Sequence, residues 1–136
     1  MKKVEYRYIT VHTESANPDV IFGTYAPRLE IDLAIAKELI ENRLSFSKGQ
    51  PVYAVMDFTN VKSVTKEARD FMNSPEGGLK GILGGAFVSN NVVTTMFVNL
   101  FLKVSKPPVP ARFFNNPKDA MNWLDKIKSE KLTLSV

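Results

Sequence analysis

Pro51-Val52-Tyr53-Ala54-Val55-Met56-Asp57-Phe58-Thr59-Asn60 is an apolar run that closes on an aspartate and turn formers. A short run bounded in this way reads as a strand buried on both faces, the kind that a parallel sheet contains. A helical pattern lies upstream and leaves through Lys48-Gly49-Gln50, while Thr65 downstream is placed to cap a second helix. The stretch thus sits at the middle of a helix–strand–helix unit, and the chain is expected to be an α/β domain.

Working towards the N-terminus, Leu29, Leu33, Ala36, Ile40 and Leu44 recur at helical spacing, with Glu30, Lys37, Glu41 and Arg43 turned away. This predicts an amphipathic helix over Leu29–Leu44. Before it, Val20-Ile21-Phe22-Gly23-Thr24-Tyr25 reads as a strand closed by Pro27, and Val4, Tyr6 and Tyr8 alternate with Glu5 and Arg7 in an earlier one running to Val11. Asn17-Pro18-Asp19 supplies turn chemistry between them, so the two are expected to form an antiparallel hairpin at one sheet edge.

Towards the C-terminus, Val61 and Val64 anchor a loop, and the helix capped by Thr65 ends at Phe71 or Met72 before Asn73-Ser74-Pro75. Ile82-Leu83-Gly84-Gly85-Ala86-Phe87-Val88 reads as an inner strand whose glycines let a neighbour come close. Val92–Val104 is helical in pattern and apolar around all but a Thr95–Asn99–Lys103 edge. Ala111-Arg112-Phe113-Phe114 gives a last strand, and Pro117 opens a final helix lined by Ala120, Trp123, Leu124 and Ile127. No internal repeat or linker divides the 136 residues, which read as one domain.

Composition removes several function classes. With no cysteine there is no disulfide framework and no thiolate nucleophile or ligand, and a reducing cytoplasm is the expected compartment. No stretch approaches the 18 or so apolar residues of a membrane span, and Met1-Lys2-Lys3 is followed by alternation rather than by an apolar signal core. The net charge of +4 is spread among acidic residues, whereas a nucleic-acid footprint calls for clustered cations. No nucleic-acid partner is expected.

The order strand, strand, helix, strand, helix, strand, helix, strand, helix resembles the STAS domain and the wider SpoIIAA-like superfamily. Lys48-Gly49-Gln50-Pro51 leading into Val55-Met56-Asp57-Phe58-Thr59-Asn60-Val61 is similar to the STAS pattern of a strand, an Asp-apolar-Ser/Thr turn and an apolar anchor. Arg112 to Leu124 is similar to the family's closing strand, polar turn and helix. The resemblance implies a mixed, mostly parallel sheet with an N-terminal hairpin and four helices packed mainly on one face, as in STAS and the lipid-transfer CRAL-TRIO domains. In anti-sigma factor antagonists the helix after the central strand opens with a phosphoacceptor serine. The matching positions here are Thr65-Lys66-Glu67-Ala68, so Lys66 or Glu67 stands at the acceptor and the phosphoserine switch is expected to be missing.

Residues that could carry chemistry are few. Asp57 lies at the carboxyl end of the central strand, where open α/β sheets place their sites, but the acidic pair that a phosphoaccepting aspartate would use to hold magnesium is lacking. Its expected role is to bond the Thr59-Asn60 turn. His12 is the only histidine, so neither a histidine metal site nor a Ser-His-Asp triad is supported, and a structural place in its strand is expected. Ser63-Val64-Thr65-Lys66 matches Ser-x-x-Lys without its companion motifs. The glycines of 77–85 lack the strand–turn–helix order and Gly-Lys-Ser/Thr of a phosphate loop.

The expectation is a non-enzymatic interaction or regulatory domain without cofactor or metal, homodimeric and with a protein partner. Asp57, Thr59, Thr65 and Lys66 form its functional loop. The alternative is a domain that binds a small apolar molecule or lipid. In either case Val93, Met96, Phe97, Leu100 and Phe101 are the candidates for the dimer seam or pocket wall, because that helix is more apolar than one sheet face requires.

Overall fold

The computed structural model describes residues 2–90 and 109–135, with side chains of the last helix described as far as residue 130. In chain order these residues form β1 (Lys3–Glu5), β2 (Ile9–Glu14), β3 (Asn17–Tyr25), β4 (Leu29–Ile31), α1 (Leu33–Ser47), β5 (Val52–Asp57), β6 (Val61–Val64), α2 (Lys66–Met72), β7 (Ile82–Val88), β8 (Ala111–Phe114) and α3 (Pro117–Ser135). The fourth expected helix, Val92–Val104, lies outside the described residues.

A six-stranded sheet runs in the order β1-β2-β3-β5-β7-β8. Its β1–β2 and β2–β3 pairings are antiparallel, and β3–β5, β5–β7 and β7–β8 are parallel. The expected mixed, mostly parallel α/β architecture with an N-terminal hairpin is present. β5 occupies the position its apolar run predicts, with a parallel neighbour on each side and Val52 to Val55 all buried.

Alternation along β5 sends its side chains to two separate cores. Ala54 joins Ile9, Val11, Ile21, Ala36 and Leu39 beneath α1 and α2, whereas Tyr53 and Val55 join Val20, Ala86, Ala120 and Leu124 beneath α3. The described helices therefore divide between the two faces, where the family resemblance had them mainly on one. Leu124 and Ala120 are fully buried, and Trp123 and Ile127 pack beside them, as the periodicity of the final helix predicts. Full burial of a leucine is worth about 1.5–3 kcal/mol, and Leu124 is the largest side chain of α3 held in this way. Asn116 caps that helix, its Oδ1 accepting from Asp119 N at 2.9 Å, and Pro117 follows at the first helical position.

Several boundaries differ from the sequence reading. The first strand is two: Tyr6 N donates to Ile9 O at 2.8 Å across a tight turn, and β1 folds back on β2. Period-two alternation of tyrosines continued through that turn, which contains no glycine or proline to mark it. The next turn lies at Ser15-Ala16, and Asn17-Pro18-Asp19 belongs to β3. Pro18 is tolerated there because the pairing of β3 with β5 begins only at Val20, so its missing N–H interrupts no ladder on that side.

The predicted helix over Leu29–Leu44 begins four residues later. Leu29 and Ile31 form β4, which pairs in parallel with β6 as a separate two-stranded sheet, so Val61–Val64 is a strand and more than a loop anchor. Asp32 then caps α1, accepting from Ile35 N at 2.9 Å, and the helix runs on to Ser47 before Lys48 turns left-handed. Its buried stripe is Ala36, Leu39, Arg43 and Phe46. Arg43, expected to face away, points inward.

Candidate functional site

The loop that follows β5 is built from short-range bonds. Asp57 Oδ1 accepts from Thr59 N at 2.9 Å, closing the turn as its position predicts. Asn60 Nδ2 donates to the Tyr25 carbonyl at 3.2 Å, and Thr59 Oγ1 accepts from Asn90 N at 3.3 Å, so the loop is laced to the ends of β3 and β7. Thr65 Oγ1 accepts from Ala68 N at 3.2 Å as the cap of α2, and Thr65 N donates to the Ile31 carbonyl at 2.9 Å. Lys66 pairs with Asp70 at 2.8 Å one helical turn on, with both side chains largely exposed.

Asp57, Thr59, Thr65 and Lys66 thus share one end of the sheet, the first three with bonds that hold the loop and Lys66 with an ion pair along α2. Thr65 and Lys66 also line a shallow surface groove with Asp32 and Glu67 where α1 and α2 begin. His12 lies elsewhere, within β2, its ring stacked on Phe22 at 4.9 Å and its Nε2 3.8 Å from Glu14. Among the described residues no cluster of His, Cys, Asp or Glu could hold a metal ion. Val93, Met96, Phe97, Leu100 and Phe101 lie outside the described residues.

A second concave feature lies inside the core beneath α1 and α2. A cavity of about 90 Å³ is lined by the sheet residues Ile9, Tyr25, Ala54 and Met56, by Leu39 and Ile40 of α1, by Met72 of α2, and by Leu79 from the connection to β7. Gly85 forms part of its floor: a Cβ built there meets no described atom within 4 Å. The walls are almost wholly apolar, with two arginines, Arg43 and Arg69, set into them.

Arg43 is only 4% exposed. Its Nη2 donates to the carbonyls of Gly78 at 3.2 Å and Lys80 at 2.7 Å, fastening the loop before β7, but its Nη1 is buried with no hydrogen-bond partner. Both Arg43 partners are neutral. Burial lowers the guanidinium pKa to about 10, against a smaller upward pull from Tyr25, so the group is charged at neutral pH. Burial also pushes the Tyr25 hydroxyl well above its usual value of 10.0, with the Arg43 charge opposing. Such a guanidinium is costly unless something completes its bonding.

Sequence reading missed this site. A helical register that starts at Leu29 turns Arg43 outward, but Leu29 belongs to β4, and from the Asp32 cap the inward stripe passes through residue 43. The space that the described residues leave open above Gly85 has no trace in the sequence, since it depends on how far the helices stand from the sheet.

Comparisons with known proteins agree with this architecture. Residues 15–128 match the family model described as "Domain of unknown function (DUF7793)". A solved structure with the same fold is an uncharacterized protein of the DUF3478 family from Shewanella loihica PV-4, described as having a SpoIIAA-like fold. It is 16% identical, with a TM-score of 0.57 over 85% of this chain and 91% of that one. No curated protein matches the chain.

Proposed function

Taking as premise that the chain belongs to the DUF7793 family and has a SpoIIAA-like fold, we propose that it is a non-enzymatic binding domain that holds a small apolar molecule beneath α1 and α2. The observation that carries this reading is the cavity above Gly85. Close packing is the rule in protein interiors, and a void bordered by Ala54, Gly85 and Ala111 on three adjacent strands is shaped by small residues where larger ones would fill it. Ligand sites have this character, apolar walls with a few polar groups set among them.

The loop from Asp57 to Lys66 supports the non-enzymatic part of the reading. The Asp57 carboxylate and the Thr59 and Thr65 hydroxyls are engaged in a turn, a contact to Asn90 N and a helix cap, so a nucleophile or base drawn from these three would have to break the loop's own bonds. No helix among the described residues is long and apolar enough to cross a membrane, so the apolar character of the site is not that of a spanning segment.

The test is an amide NMR titration with n-butanol, run on the wild-type protein and on Gly85→Leu. Butanol is expected to shift the amides of Leu39, Ala54 and Gly85 in the wild-type protein and to leave them in place once leucine fills the floor. Native mass spectrometry of both forms reports in addition the oligomeric state and any small molecule that co-purifies. Equal butanol response in the two forms, or none in either, would overturn the reading.

A further inference from the structure

The cavity wall has a sign as well as a shape. Among the described residues that line it there are two arginines and no aspartate or glutamate. For Arg43 the imbalance is not corrected nearby: it is 4% exposed, its hydrogen-bond acceptors are two backbone carbonyls, and Nη1 has none. A buried cation of this kind gains most from an anion that brings its own apolar body, since such a molecule supplies the counter-charge without bringing water into the core.

Size narrows the choice. A water takes about 30 Å³ of liquid volume and an apolar cavity of about 150 Å³ accepts benzene, so about 90 Å³ suits roughly four to six heavy atoms. The planar fork of a guanidinium matches a carboxylate better than it matches a hydroxyl or an amide. We propose that the molecule held in this cavity is a short-chain aliphatic carboxylate, its tail against Leu39, Ala54 and Met56 and its carboxylate accepting from Arg43 Nη1. The proposal rests on the cavity being a binding site and adds the chemical class of what it binds.

Sodium butanoate and n-butanol, which share a tail and differ in charge, separate the two levels of the argument. In amide NMR titrations of the full chain at constant ionic strength, butanoate is expected to bind about tenfold tighter than butanol or better, the worth of one hydrogen bond to a charged group. Both are expected to shift the amides of Leu39, Leu79 and Gly85. Arg43→Met should abolish the preference, and Arg43→Lys should keep part of it. Equal affinities in the wild-type protein would overturn the carboxylate while leaving the cavity as a neutral apolar site, and this comparison stands even if Arg43→Met does not fold. Butanoate shifts confined to surface lysines would also overturn it. Failure of both probes would remove the binding site itself.

Discussion

Gly84 and Gly85 are consecutive residues of β7, yet one faces a filled core and the other a space that the described residues leave open. A Cβ added to Gly84 would lie 2.9 Å from Ile127 Cδ1 and 3.2 Å from Tyr53 Cδ1, because α3 packs directly onto the sheet there. A Cβ added to Gly85 meets no described atom within 4 Å. The glycine beneath α3 is needed for close approach, whereas the one beneath α1 and α2 leaves space that no contact among the described residues demands. One face of the sheet is the structural half of the molecule, and the other contains the cavity and its buried charge.

That contrast breaks most directly under Leu124→Ala. Leu124 is fully buried beneath α3, and its truncation should cost about 2–5 kcal/mol in chemical denaturation. A loss below about 1 kcal/mol would mean that this face yields as readily as the other. Gly84→Ala comes next, an overpacking change expected to cost about 1–3 kcal/mol, since Ile127 and Tyr53 must give way. Gly85→Ala should act in the opposite sense, stabilising by about 0.4–1 kcal/mol by restricting the unfolded chain without a clash among the described residues. Comparing the melting temperatures of these two alanine variants is the sharpest test of the asymmetry, and equal destabilisation of both would dissolve it.

The smallest effect is confined to alkaline solution. Burial raises the Tyr25 pKa above its unfolded value of 10.0, so the stability tied to its neutral hydroxyl is fully present below about pH 10 and is lost as pH climbs further. Arg43, with its pKa lowered to about 10, works the other way above that pH, because the unfolded chain then holds the proton more tightly. Tyr25→Phe should therefore flatten the alkaline fall in stability, measured as denaturation midpoints on either side of pH 10. An unchanged slope would show that Tyr25 ionises as freely folded as unfolded.

Much of the architecture was legible because it is written in local chemistry. The Val52–Asp57 run, the Asp57 turn, the Thr65 cap and the face of α3 each depend on residues within a few positions of one another, and each is found where its pattern places it. The division of the first strand was not legible, because Tyr6 and Tyr8 keep alternation through a turn that lacks turn-forming residues. Leu29 and Ile31 fit a strand and a helix equally well by spacing, and only their partner β6, some thirty positions on, decides between the two. The loop candidates Asp57 and Thr65 were found with their structural roles, whereas Arg43 and Gly85 matter through tertiary distance. No periodicity in the chain encodes the height of a helix above a sheet.

Read across the sheet, β1, β2, β3, β5, β7 and β8 stand in the order in which the chain presents them, and β4 precedes β6 in the smaller pair. No strand has to slip between two that are already joined. Each new edge is offered to the next segment to arrive, so the sheet can grow by addition at one side alone, beginning with two antiparallel pairings of short loop and continuing through the helical crossovers. Short closures come first and the longer ones extend an edge that already exists, which keeps the entropy of each step low. For a chain emerging from the ribosome, this geometry makes the order of synthesis a workable order of assembly.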